Sequence, residues 1–235
     1  MSPRHARVLL VPFGAAAAVD LVSLAAGFTP GHLVAKPLLM PLLAAHTVVR
    51  GGPRLLVAAL LCGWGGDVLL LSDADPAFLA GMASFAAGHV CYLLLFRRFF
   101  RRPDSPHRPP HVRGPSTWLD GAYVLALVVT VTLLWPDLPA GLRVPVAGYS
   151  LLLTAMAAAS TRLGPVAGAG GALFLLSDTL IATGVADWPQ LPRPDFWIML
   201  TYAVAQFLLV SGVLGTLGAR SAARAAYGEM RSTTP

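Results

Sequence analysis

Charged residues are scarce in this chain. Only 12% of its 235 residues are Asp, Glu, Lys or Arg, about half the share, roughly a quarter, that a soluble domain uses to cover its surface. Lysine is nearly absent, and Lys36 is the only one among 17 basic residues. Cysteine occurs twice, at Cys62 and Cys91, each inside an apolar run. Such residues read as small buried hydrophobes, neither a disulfide framework nor a metal pair. Phosphate-loop and dinucleotide fingerprints are missing, as are the G-x-S-x-G elbow and any H-E-x-x-H pair, and His107 and His111, though four residues apart, fall in a basic Pro-rich segment. No nucleotide-binding fold, elbow-type serine hydrolase or zinc protease is therefore expected, and no metal or cofactor.

What the chain has instead is apolar length. Hydrophobic residues make up 56%, and the mean hydropathy is +0.67. Runs long enough to cross about 30 Å of hydrocarbon recur throughout. They predict eight transmembrane helices, at 8–28, 33–50, 54–72, 77–97, 117–135, 142–160, 165–186 and 196–218. Residues 1–235 thus form one all-α polytopic membrane domain. The breaks carry turn chemistry, as at Thr29-Pro30-Gly31, Gly51-Gly52-Pro53 and Pro136-Asp137-Leu138-Pro139. The one long hydrophilic segment, 98–116, is rich in Pro, Arg and His and reads as a basic cytoplasmic loop.

Charge orients these spans. With the N-terminus inside, every basic residue except Lys36, Arg143 and Arg193 falls on the inner side, while Asp73, Asp75, Asp137, Asp187 and Asp195 fall outside. That obeys the positive-inside rule at each loop, so both termini are expected in the cytoplasm. The net charge of +6 reflects these inner loops, so membrane lipids and not nucleic acid are the expected partners. A bacterial inner membrane is the expected location. Arg4 and Arg7 ahead of the run Val8 to Val19 leave a signal peptide open, which would leave seven spans. Gly66-Asp67-Val68-Leu69 in span three echoes Ser177-Asp178-Thr179-Leu180 in span seven, as a parallel duplication would.

Three aspartates lie within spans: Asp20, Asp67 and Asp178. Each costs roughly 2.5–3.5 kcal/mol at mid-membrane, so such groups face a bundle interior or a wet cavity. At a rise of about 1.5 Å per residue, all three and Lys36 fall in the outer half of the membrane at similar depths. Lys36, beside Pro37, is either a snorkelling residue or a counter-ion to carboxylates or a phosphate. His46 and His89 are within spans, and His32 is at an outer boundary. His89 shares a helix face with Phe85 and Tyr92, which suits packing or hydrogen bonding better than metal ligation. The glycines around Gly63–Gly66, Gly81, Gly88 and Gly168–Gly171 read as close helix packing.

Five motifs resemble the successive signatures of the YhhN-like family, which includes the lysoplasmalogenases. They are Lys36-Pro37-Leu38-Leu39-Met40, Gly66-Asp67-Val68-Leu69-Leu70, Phe85 to Tyr92, Phe174-Leu175-Leu176-Ser177-Asp178 and Tyr202-Ala203-Val204-Ala205-Gln206, in order and each on its own span. The resemblance covers roughly residues 8 to 218. It implies an eight-helix enzyme that hydrolyses the vinyl ether bond of lysoplasmalogens, a lysophospholipid substrate, to a fatty aldehyde and glycerophospho-ethanolamine or -choline. The family's essential aspartates fall on Asp67 and Asp178. The residues suit that chemistry. Vinyl ether hydrolysis needs an acid to protonate the β-carbon and an anion beside the resulting oxocarbenium ion, as in glycosidases. Two carboxylates in a low-dielectric cavity supply both without a metal. Lys36, His89, Tyr92, Asp20, Tyr202 and Gln206 are candidates to bind substrate or hold the carboxylates. Other uses of buried carboxylates are an intramembrane aspartyl protease, disfavoured because Trp64-Gly65-Gly66 lacks the first Gly of the Gly-x-Gly that precedes the second aspartate there, a proton-coupled transporter, or a lipid-binding protein.

Overall fold

A computed structural model of the chain describes residues 9–72, 74–100 and 117–232. They form eight α-helices, with no strand among the described residues: α1 Leu10–Ala26, α2 Thr29–Val49, α3 Arg54–Leu69, α4 Asp75–Phe100, α5 Thr117–Leu134, α6 Ala140–Thr161, α7 Pro165–Val185 and α8 Pro194–Ser232. Five of these, α2, α4, α6, α7 and α8, are long and apolar enough to cross a membrane. Helix α1 and the stretch Trp118–Leu134 of α5 are apolar but shorter, and α3 has 16 residues.

Local chemistry sets the boundaries. Gly27 ends α1 in the left-handed region, at φ 72, with its N–H on the Leu24 carbonyl, where a side chain would be strained. Prolines open the next segments: Pro30 in the first turn of α2, Pro53 as N-cap of α3, Pro165 and Pro194 as first residues of α7 and α8. Proline suits that position because its missing N–H is not needed there. Pro37 and Pro41 inside α2, and Pro145 inside α6, each forgo one helical hydrogen bond, a loss membrane helices absorb through neighbouring groups.

Several expected boundaries move, and α2 begins at Thr29 and not at 33, so the expected break Thr29-Pro30-Gly31 forms its first turn. Span three was expected to reach residue 72, but α3 ends at Leu69, so Asp67 lies in its last turn. The eighth helix runs on to Ser232, well past residue 218, because hydropathy registers where lipid ends and not where helix ends; the continuation is rich in alanine, a strong helix former. Of the expected loop 98–116, residues 98–100 belong to α4, and the rest lies outside the described residues, as does Asp73.

Seven helices close into a ring. Each of α1, α2 and α3 packs on the next, α4 packs on α6, then α6 on α7 and α7 on α8, and α8 returns to α1 and α2. Helix α5 lies outside this ring, resting on α6 and only slightly on α7. The α7–α8 contact is the most extensive, and small residues make it. A methyl on Gly170 would lie 2.8 Å from the Leu209 backbone nitrogen, and one on Gly212 would lie 2.8 Å from that of Ala167. The expected role of the glycines as close-packing positions therefore has a specific location. Leu39, Leu43, Leu60, Phe96, Leu209 and Val213 are fully buried in the ring's core. Cys62 and Cys91 are free thiols.

Candidate active site

Each helix of the ring sends a polar side chain inward. Asp20 comes from α1, Lys36 from α2, Asp67 from α3, His89 and Tyr92 from α4, Tyr149 from α6, Asp178 from α7, and Tyr202 and Gln206 from α8. All are buried except Tyr149 and Asp178, which are half-buried. Lys36, Asp178 and Asp20 all lie close enough to Asp67 to act on it electrostatically.

A hydrogen-bonded chain leads to Asp67. Tyr92 Oη donates to Gln206 Oε1 at 2.7 Å. Gln206 Nε2 donates to Tyr202 Oη at 3.4 Å, and Tyr202 Oη donates to Asp67 Oδ2 at 2.8 Å. Every donor points toward the carboxylate, an arrangement in which successive bonds polarise one another. Three of the expected substrate-binding residues are thus engaged with Asp67. The chain depends on close backbone approach: a methyl on Gly63 would lie 3.0 Å from Tyr202 Oη and 3.2 Å from Gln206 Nε2, and one on Gly66 would overlap the Phe85 ring.

A second chain leads to Asp178. Tyr149 Oη donates to Asp178 Oδ2, and His89 Nε2 lies 3.0 Å from Tyr149 Oη. The tyrosine has one proton and spends it on the carboxylate. Its oxygen therefore accepts from His89, which assigns the Nε2–H tautomer to the imidazole. His89 Nδ1 is then a bare acceptor, buried and without a hydrogen-bond partner. Aromatic rings separate the two chains. Phe174 packs edge-on against His89, with centroids 4.8 Å apart, and against Tyr202 at 5.4 Å, while Phe85 packs on Phe174 and Tyr202.

A partly open cavity of about 300 Å³ lies between α4, α5, α6 and α7. Its walls are mostly apolar, and Asp178 is the only charged group in them among the described residues. Asp67 is not in these walls; the Phe85 ring, which lines the cavity and touches Tyr202, stands between them. Elsewhere in the bundle His32 Nδ1 lies 2.7 Å from Asp20 Oδ1, so Asp20 is held by a boundary histidine. Gly31 permits that contact, because a methyl there would overlap Ser23 Oγ. Among the described residues no three His, Cys, Asp or Glu side chains converge where they could hold a metal ion.

The sequence reading missed Tyr149. It stands in no motif, and its only signal was a hydroxyl four residues after an in-helix proline on an apolar span. His32 was placed only at a membrane boundary, because its partner Asp20 lies on another helix.

The YhhN family matches the chain over residues 31–213. Lysoplasmalogenase TMEM86B of Homo sapiens is 34% identical over 167 residues, covering 70% of this chain and 65% of that protein. The Rattus norvegicus protein of that name is 31% identical over 188 residues, covering 79% and 73%. A lysoplasmalogenase of Mycobacterium bovis is 30% identical over 199 residues, covering 77% and 71%. The chain spans less than two thirds of the human protein. No solved structure matches it.

Proposed function

Because the chain belongs to the YhhN family, we propose that it is an integral membrane hydrolase cleaving the vinyl ether bond of lysoplasmalogens, with Asp67 and Asp178 as its catalytic pair. The observation that carries this reading is the pair itself. Two carboxylates sit inside one helical bundle, each hydrogen-bonded by a tyrosine, close enough for Asp178 to act electrostatically on Asp67, and one of them opens onto an apolar cavity. Relatives named lysoplasmalogenase support the substrate.

The geometry suggests a division of labour. Asp178 lines the cavity and is the acid. Tyr149 occupies its Oδ2, so the proton to be delivered sits on Oδ1. That proton goes to the β-carbon of the alkenyl chain, and the α-carbon and ether oxygen share the resulting positive charge. Asp67, at the end of a chain of donors and behind the Phe85 ring, is the anion of the pair and acts on the cation through its field, without touching it. Water adds to the cation, the departing proton returns to Asp178, and the hemiacetal collapses to a fatty aldehyde and a free glycerol hydroxyl. No redox step or cofactor enters this sequence. Lys36 is buried and does not line the cavity, and its action on Asp67 suits the counter-ion role of the two expected for it.

The test is aldehyde release from a vinyl ether lysolipid by purified protein. Asp67→Asn and Asp178→Asn keep the shape but not the proton chemistry, and each should lose activity by about 10²–10⁴-fold, the usual contribution of a general acid or base. The double variant should be little worse than either single one, because the pair acts as a unit. EDTA should leave the rate unchanged. Full activity in either Asn variant would sink the mechanism, and proton flux without aldehyde would favour a transporter.

A further inference from the structure

We propose that the cavity between α4 and α7 binds a single aliphatic lipid chain, which enters sideways from the bilayer through the seam between α5 and α7. This deepens the hydrolase reading and rests on it for the identity of the bound lipid. Four observations converge. First, the volume, about 300 Å³, is at the small end of ligand pockets, roughly 300–1,000 Å³, which suits one chain and not the two of a diacyl lipid. Second, the open side is marked by its exposed lining residues, Ala126 on α5 and Ala172 and Leu176 on α7. Helices α5 and α7 touch only slightly, and Leu134 is the only buried residue among the described side chains of α5. The mouth therefore faces what surrounds the bundle, which at this depth is hydrocarbon.

Third, the polar groups in the wall sit where a lipid's oxygen would be. Asp178 lies about midway along the α7 face of the cavity, between Ala172 and Val185, with Tyr149 of α6 hydrogen-bonded to it. Fourth, Thr154 Oγ1 is buried in the same wall without a hydrogen-bond partner. Thr47 and Thr179 show the usual arrangement, donating to the carbonyl four residues earlier. Thr154 does not, and an unspent donor in a dry wall is costly. It suits an ether or hydroxyl oxygen of the bound lipid. A chain entering through the mouth thus reaches Asp178 without its apolar part crossing water.

Two measurements test this. In the first, Ala172→Trp and Leu176→Trp, both on the exposed face of α7, narrow the mouth without entering the core. They are compared on a long-chain vinyl ether lysolipid in vesicles and on a short, water-soluble vinyl ether. A methylene gains little on passing from bilayer hydrocarbon into an apolar cavity, so the loss is one of access: forcing the chain past the filled mouth should lower kcat/KM on the long-chain lipid by roughly tenfold or more, and on the short one by distinctly less. Equal losses on both substrates, or none on the long one, would overturn the proposal. In the second, a saturated-ether lysolipid with a diazirine on its chain, which cannot be hydrolysed, is photolysed with the wild-type protein in vesicles. Label on α5, α6 or α7 at the cavity, displaced by the unlabelled saturated lysolipid, supports the site; label elsewhere overturns it. Specific labelling with no aldehyde from any vinyl ether would leave the chain site standing and remove the hydrolase reading. Aldehyde release with label elsewhere would do the reverse.

Discussion

At the scale of single residues, the two aspartates differ in what surrounds them. Asp67 is enclosed, its Oδ2 at the end of the Tyr92–Gln206–Tyr202 chain. Asp178 is half-buried, with Tyr149 on one oxygen. Tyr149 is therefore a positioning residue, acting through Asp178. A hydrogen bond to a charged or proton-transferring group is worth about 1.5–3 kcal/mol, so Tyr149→Phe should lower kcat by roughly 10–100-fold with little change in KM. Added to Asp178→Asn, the same change should cost almost nothing further, since the group it positions is already disabled. Additive losses in that double variant would assign Tyr149 an independent role. The aspartates were legible in the sequence because a charge in an apolar run is conspicuous. Tyr149 was not, because a tyrosine in a span is ordinary until its neighbour on the next helix is known.

At the scale of elements, the site depends on how closely helices approach. Gly66 lets the Phe85 ring of α4 come close against α3, and Gly170 lets the α8 backbone touch α7. The two contacts differ in distance from the chemistry, which separates two outcomes. Gly170→Ala opposes backbone against methyl and should destabilise the protein by about 1–3 kcal/mol, read as earlier unfolding in detergent, with the kcat of the folded fraction kept. Gly66→Ala should lower stability by a comparable amount and also kcat, because Phe85 packs on Tyr202, the donor to Asp67. Normal kcat in stable Gly66→Ala protein would show that Phe85 does not help hold Tyr202. The sequence reading assigned these glycines to close packing, but it could not say which pairs of helices they join.

At the scale of the whole molecule, the ring has a basic end and an acidic end. Arg220 donates to the Phe99 carbonyl and lies over its ring, and Arg162 pairs with Asp120 at 3.2 Å. Around the opposite end, Trp188 donates to Asp137 and Arg143 caps the carbonyls of Pro136 and Leu138. If the positive-inside rule orients the bundle, reporters fused at Pro235 and within residues 102–113 should read cytoplasmic, and one at Asp75 external. An external reading at Pro235 would reject the eight-span arrangement with both termini inside. The duplication echo has a partial counterpart: α3 packs on α4 much as α7 packs on α8. The aspartate partners differ, Tyr202 of α8 for Asp67 and Tyr149 of α6 for Asp178, so any symmetry stops short of the site.

What the sequence by itself determined is the one-dimensional part of this protein. Hydropathy located eight helices, because lipid tolerates few charges; proline and glycine marked most of their ends; and buried carboxylates stood out because they are costly. The tertiary structure decided everything that depends on which helix neighbours which. It left α5 outside the ring, which gives the cavity a side facing lipid. It set Asp178 on that cavity and Asp67 behind Phe85, a difference that two similar motifs conceal. It joined His89 to Asp178 through Tyr149, a link across α4, α6 and α7. Spacing along one helix tells which residues share a face, but the partner across the gap is set by packing of the whole bundle.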